Sequence, residues 1–180
     1  MGFLRVIAIS GLLLSALLGL HACSSASPAL DALTQPEPDS TRQRAMRRLA
    51  LASAYFEQGQ TDVAQQEVRA ALQIDANFAD AYSLLGLIHQ RNNAPLLAQQ
   101  SFQKALALAS EPPVRSADLA AIQHNYGWFL CQQNRFAEAQ AEFERALSQP
   151  TYRQVDKTRK AIELCNQRAI PPSDVRRSNN

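Results

Sequence analysis

Histidine, cysteine and glycine are scarce in this 180-residue chain, at three, three and six residues, and each scarcity removes a class of chemistry. No two cysteines or histidines stand at the spacing zinc requires, so no metal site is expected. His21, His89 and His124 make no constellation with a serine and an acid, which argues against an enzyme and a small-molecule substrate. Only Gly59, Gly86 and Gly127 lie beyond residue 22, too dispersed for a loop that would cradle a phosphate or a nucleotide cofactor. Charge of one sign is lacking too: 18 Lys and Arg stand against 16 Asp and Glu, leaving no basic footprint for nucleic acid.

The first charged residue is Arg5 and the next is Asp31, with an apolar, Gly- and Ser-containing run from Val6 to Leu20 between them. A positive start, a short apolar segment and a small residue before a cut are the parts of a secretory signal, assigned to residues 1–22. A spanning helix is the rival, but this run covers only about 22 Å of a hydrocarbon core of about 30 Å. Leu20-His21-Ala22-Cys23 resembles a bacterial lipobox, His21 being its departure. That resemblance implies acylation of Cys23, a membrane anchor of several chains, and, with Ser24 next, sorting to the outer membrane. The alternative is an ordinary cleaved signal that leaves a free thiol. Residues 23–39, with three prolines and no helical periodicity, read as a flexible tether.

Beyond the tether the chain reads as all-α over residues 40–169. Ser40 with Gln43 forms a capping box for the first helix. Small and large residues then recur with a period of about 34: copies at 45–78, 79–112 and 120–153, the last two separated by an insertion of seven. Ala64, Ala98 and Ala139 are equivalent, as are Val68, Phe102 and Phe143. Leu51, Ala52 and Tyr55 begin the pattern in the first copy, where Arg48 occupies an aromatic position. Gly or Ala at facing positions lets two helices approach closely, while the large residues fill the gaps between them.

A hairpin of this kind cannot bury its own apolar face, so stacked neighbours must supply a continuous core. These residues resemble the tetratricopeptide repeat, which implies a superhelix of three hairpins with a groove lined by the first helix of each. On that register the groove holds Met46, Leu49, Ser53 and Phe56, then Asp80, Ser83, Leu87 and Gln90, then His124, Trp128 and Gln132. Its apolar members exceed what the hairpin cores require, which suits a peptide strip or a partner helix. His89 falls at a core position.

Residues 154–169 read as a capping helix, with Val155, Thr158, Ile162, Cys165 and Ala169 on its inner face and Lys157 among the outward residues. Pro171 and Pro172 end it, and 170–180 reads as a disordered tail. Cys131 and Cys165 are one repeat apart, which permits a disulfide, two buried thiols being the alternative. Arg42, Arg44, Arg47 and Arg48 crowd the start of the first helix, where cations oppose the helix dipole. They suit either a solvated face or anionic head groups.

The run Asn125-Tyr126-Gly127-Trp128-Phe129-Leu130-Cys131, followed by Phe136-Ala137-Glu138-Ala139 and Phe143-Glu144-Arg145-Ala146-Leu147, is similar to the PilF/PilW family of type IV pilus biogenesis lipoproteins. The resemblance implies a pilotin: an outer-membrane lipoprotein without enzymatic activity that binds the secretin subunit and promotes its localisation and multimerisation. The family usually carries about six repeats, whereas three and a helix are found in this sequence. An adaptor for peptidoglycan enzymes or for outer-membrane protein assembly is the alternative.

Overall fold

The structure, a computed structural model, describes residues 40–110 and 116–169. Seven helices occupy them, and among the described residues there is no strand: α1 (Thr41–Glu57), α2 (Thr61–Ile74), α3 (Ala79–Arg91), α4 (Pro95–Ala109), α5 (Ser116–Gln132), α6 (Phe136–Leu147) and α7 (Val155–Ala169). The leader, Cys23, the tether, residues 111–115 and the tail after Ala169 lie outside the described residues.

Each hairpin begins and turns for a local reason. Ser40 Oγ accepts from the Gln43 amide at 3.1 Å while the Gln43 side chain accepts from the Ser40 amide at 2.7 Å, the expected capping box. The three hairpin turns use one device. Gly59, Asn93 and Asn134 have φ of 79°, 55° and 61°, the left-handed conformation. The amides that follow them, on Gln60, Ala94 and Arg135, return to the carbonyls of Tyr55, His89 and Leu130 at 2.9–3.0 Å. This closes each first helix as a Schellman motif and throws the chain into the second. Asn is tolerated there because its short polar side chain is among the few compatible with positive φ.

Within a hairpin, packing depends on how small one residue is and how large its neighbour is. A Cβ on Gly86 would fall 2.8 Å from the ring of Phe102, itself wholly buried. Gly127 stands the same way beneath Phe143. In the first hairpin Val68 replaces the phenylalanine and Ala52 replaces the glycine, both wholly buried, so the smaller filler leaves room for a methyl group.

Between hairpins the aromatic residues carry the stack. The Phe102 ring of α4 lies 5.6 Å from Tyr126 and 5.5 Å from Phe129, both on α5, joining the second hairpin to the third. Leu51 departs from expectation. It is 41% exposed, because among the described residues no helix precedes α1 to cover it.

The terminal helix α7 packs against both helices of the third hairpin, α6 and α5. Its buried residues are Thr158, Ala161 and Cys165, and Ala169 is exposed, so the inner face turns through Ala161 rather than on to Ala169. Cys131 and Cys165 are joined by a disulfide with their Cα atoms 5.7 Å apart. Beside it His124 Nδ1 meets Thr158 Oγ1 at 2.8 Å, and Thr158 Oγ1 meets the Tyr152 hydroxyl at 2.7 Å. A wholly buried threonine therefore joins the end of the third hairpin to its cap.

Candidate functional site

The first helix of every hairpin, and α7 after them, turns one face to a shared cleft of about 270 Å³. Leu49, Ser53, Phe56 and Glu57 come from α1, and Asp80, Ser83, Leu84 and Leu87 from α3. Ala121, Ile122 and Asn125 come from α5, and Lys157 from α7. The alignment follows from the period: residues 34 apart occupy the same face of successive first helices, so Leu49 and Ser83 are neighbours, as are Ser53 and Leu87.

The floor is apolar and held rigidly. Phe56, Leu84 and Ile122 are each 8% exposed or less. The Arg91 guanidinium lies 3.6 Å from the centre of the Phe56 ring and donates to the Phe56 carbonyl oxygen at 2.5 Å, fixing that ring in place. Asn125 donates to Ser83 Oγ at 3.2 Å and pins α5 to α3 across the floor. Above this floor the rim is polar, with Ser53, Glu57 and Lys157 exposed and Asp80 half-buried.

Six of the eleven groove residues named from sequence line the cleft: Leu49, Ser53, Phe56, Asp80, Ser83 and Leu87. The other five do not, and of these Met46 is 51% exposed on α1 outside the cleft. His124 is a correction, since it is 5% exposed and bonded to Thr158, buried by the α7 that a bare groove register leaves out. Its pKa is lowered to about 4, first by burial and then by the nearby Lys157 charge, so the ring is neutral. Trp128 is half-buried and packs against the core of the third hairpin instead of facing the cleft. Gln90 and Gln132 lie beyond the cleft and hydrogen-bond to each other at 2.5 Å. His89 is half-buried, its pKa lowered by burial and by Arg69.

Sequence reasoning missed Glu57, Leu84, Ala121, Ile122, Asn125 and Lys157. Ala121 was within reach, because it stands at the register position of Asp80. Lys157 was assigned to the solvent face, and only the packing of α7 against α5 turns it to the cleft. A volume of about 270 Å³ falls just under the range usual for drug-sized ligands and suits one large apolar side chain of a polypeptide. Among the described residues no three His, Cys, Asp or Glu side chains gather as metal ligands, and no helix is long and apolar enough to cross a membrane.

Profiles for the tetratricopeptide repeat match residues 77–149 and 52–93. The type IV pilus assembly protein PilF of Pseudomonas aeruginosa is 36% identical over 91 residues, covering 51% of this chain and 33% of that protein. An uncharacterized protein of Haemophilus influenzae is 31% identical over 121 residues, covering 67% of this chain and 64% of that one. Among solved structures, PilF of P. aeruginosa superposes with a TM-score of 0.63 at 29% identity, covering 71% of this chain and 55% of that one. The type IV pilus biogenesis factor PilW superposes at 0.61 and 30% identity, covering 69% and 54%. The N-terminal domain of stress-induced protein-1 from C. elegans, at 19% identity and a TM-score of 0.54, shares the fold alone. The chain thus spans about half the length of the solved pilus proteins and a third to two thirds of the curated relatives.

Proposed function

Because this chain is a tetratricopeptide-repeat protein homologous to a pilus assembly protein, we propose that it is a non-enzymatic assembly factor of type IV pilus biogenesis. Its working surface is the cleft between the first helices, which takes a segment of a partner protein. Phe56, Leu84, Leu87 and Ile122 receive one apolar side chain of that segment, and the polar rim bonds its backbone and flanking residues. The observation that carries the reading is this apolar floor under a polar rim, to which the first helix of each of the three hairpins contributes.

The partner is the secretin subunit, whose transfer to the outer membrane and multimerisation the protein promotes. An acyl anchor on Cys23 would hold the protein at the periplasmic face of that membrane. Both assignments draw on the likeness of the sequence to pilus lipoproteins and on the lipobox-like residues around Cys23.

Deletion of the gene, with complementation by wild type or Ser53→Arg, tests the proposal. Ser53 is exposed on the rim, so the arginine blocks the cleft without disturbing the core. Loss of secretin multimers and twitching on deletion, restored by wild type and not by an equally abundant Ser53→Arg, is expected. Unchanged multimers with altered cell-wall turnover would assign the chain to the adaptor function instead. A fatty-acid analogue that labels wild type as strongly as Cys23→Ser would refute the anchor.

A further inference from the structure

The two outer walls of the cleft carry opposite charge. Its helices touch in the order α1, α3, α5 and α7, whereas α1 and α7 make no contact with each other. Glu57 is the last residue of α1 and Lys157 the third of α7, so an acid stands on one outer wall and a base on the other, with the apolar floor between them. Asp80 of α3 is half-buried and engaged in an interaction of its own, so Glu57 is the exposed acid on that side.

Neither charge hangs on a loose segment. Glu57 follows Phe56, whose ring is covered by the Arg91 guanidinium and whose carbonyl oxygen accepts from it. Lys157 precedes Thr158, which is wholly buried and bonded to His124 and Tyr152, on a helix that the Cys131 to Cys165 bond ties to α5. With both backbones anchored, the two charges keep a constant separation across the floor. Only their side-chain rotamers remain to be ordered when a segment binds.

We propose that the cleft reads charge order as well as an apolar anchor: its occupant is a peptide segment in which a basic residue meets Glu57, a large apolar residue fills the floor and an acidic residue meets Lys157. This rests on the reading of the cleft as the partner-binding surface and names the chemistry of what binds there. Charge complementarity selects such a segment in two ways. The matching order gains two surface ion pairs, each strengthening binding by up to roughly fivefold. The inverted order sets like charges against each other at both walls and is rejected. A segment of uniform charge gains at one wall what it loses at the other. The apolar side chain thus supplies affinity, while Glu57 and Lys157 decide which segment enters and which way round it lies.

The test uses peptides from a random displayed library, panned on the full chain and kept when Ser53→Arg abolishes their binding. They should carry a basic and an acidic residue on opposite sides of a large apolar one. For such a peptide Glu57→Lys and Lys157→Glu should each weaken binding by roughly fivefold or more at low salt, and the loss should shrink as salt rises. The two changes together should restore tight binding to the same peptide with its two charges exchanged. Both side chains are exposed, so an unchanged thermal melt is expected as the folding control. Peptides sensitive to Ser53→Arg that lack this charge order, or that bind Lys157→Glu as tightly as wild type, would overturn the proposal and leave the cleft as the partner surface. A library that yields no peptide sensitive to Ser53→Arg would overturn both, because the partner's seat would then lie outside the cleft.

Discussion

Gly127 and Phe143 compete for one space: a Cβ on the glycine would fall 2.9 Å from two carbons of the phenylalanine ring and 3.2 Å from the Ala139 carbonyl oxygen. Alanine at an interior helix position ordinarily gains about 1 kcal/mol over glycine. Here the ring is wholly buried and the carbonyl belongs to the α6 backbone, so neither can retreat cheaply. Gly127→Ala should therefore destabilise the fold by about 1–3 kcal/mol in urea denaturation. In the second hairpin, Gly86→Ala combined with Phe102→Val reproduces the natural Ala52 and Val68 pair. The alanine should cost clearly less on that background than alone, and strict additivity of the two changes would refute the volume exchange.

The disulfide between Cys131 and Cys165 closes a separation of 34 residues, for which loop-closure entropy gives about 3–4 kcal/mol. Cys131→Ser with Cys165→Ser should lose up to that amount, and hydrogen exchange should quicken in α7 before any other helix. Both sulfurs sit in side chains at most 3% exposed, so reductant should act only through opening of α7. Alkylation of the unreduced, unfolded protein at both cysteines would contradict the bond.

His124 makes stability depend on pH in a defined direction. Its folded pKa, about 4, lies below the ordinary value of 6.5, so the unfolded chain binds more protons between those values. Its contribution is present in full above about pH 6.5 and is lost as pH falls towards 4, an effect of order 2–3 kcal/mol. His89 acts in the same sense through its own lowered pKa. Protonation of His124 makes both ring nitrogens donors, so Nδ1 of the charged ring can only donate to Thr158 Oγ1 at 2.8 Å, and the Thr158 hydroxyl in turn meets that of Tyr152 at 2.7 Å. His124→Gln should flatten the stability profile between pH 6.5 and 4, and an unchanged slope would place the titration elsewhere.

The hairpin turns offer a test of backbone conformation alone. A Cβ on Gly59 would meet nothing within 4 Å, yet its φ is 79°. Gly59→Ala should cost about 1 kcal/mol although no contact changes, while Asn93→Gly and Asn134→Gly should be neutral or slightly stabilising. Denaturation midpoints decide it: three indistinguishable variants would remove the left-handed turn from the account of the fold.

Trp128→Ala is a poor probe of the cleft, since the indole packs on the third hairpin's core; it should cost about 3 kcal/mol or somewhat less of stability. Leu87 is also half-buried in two core clusters, whereas Ser53 is exposed on the rim. Purified secretin should bind Ser53→Arg at least tenfold more weakly than wild type while the two melt together, and equal binding would move the partner's seat away from the cleft.

The sequence by itself determined the hairpins, their register and the six cleft residues on α1 and α3, because these depend on small residues recurring at a fixed period and on caps read within one turn. Ala52, Gly86 and Gly127 were legible as small positions and Val68, Phe102 and Phe143 as large ones, whereas which small residue makes room for which large one is seen only in the packing. Only the tertiary structure decided what the terminal helix covers. Whether His124 faces a partner or Thr158, and whether Lys157 faces water or the cleft, depends on how α7 rotates against α5. That rotation is set by contacts between residues 34 apart, among them the Cys131 and Cys165 bond, and local periodicity carries no information about it.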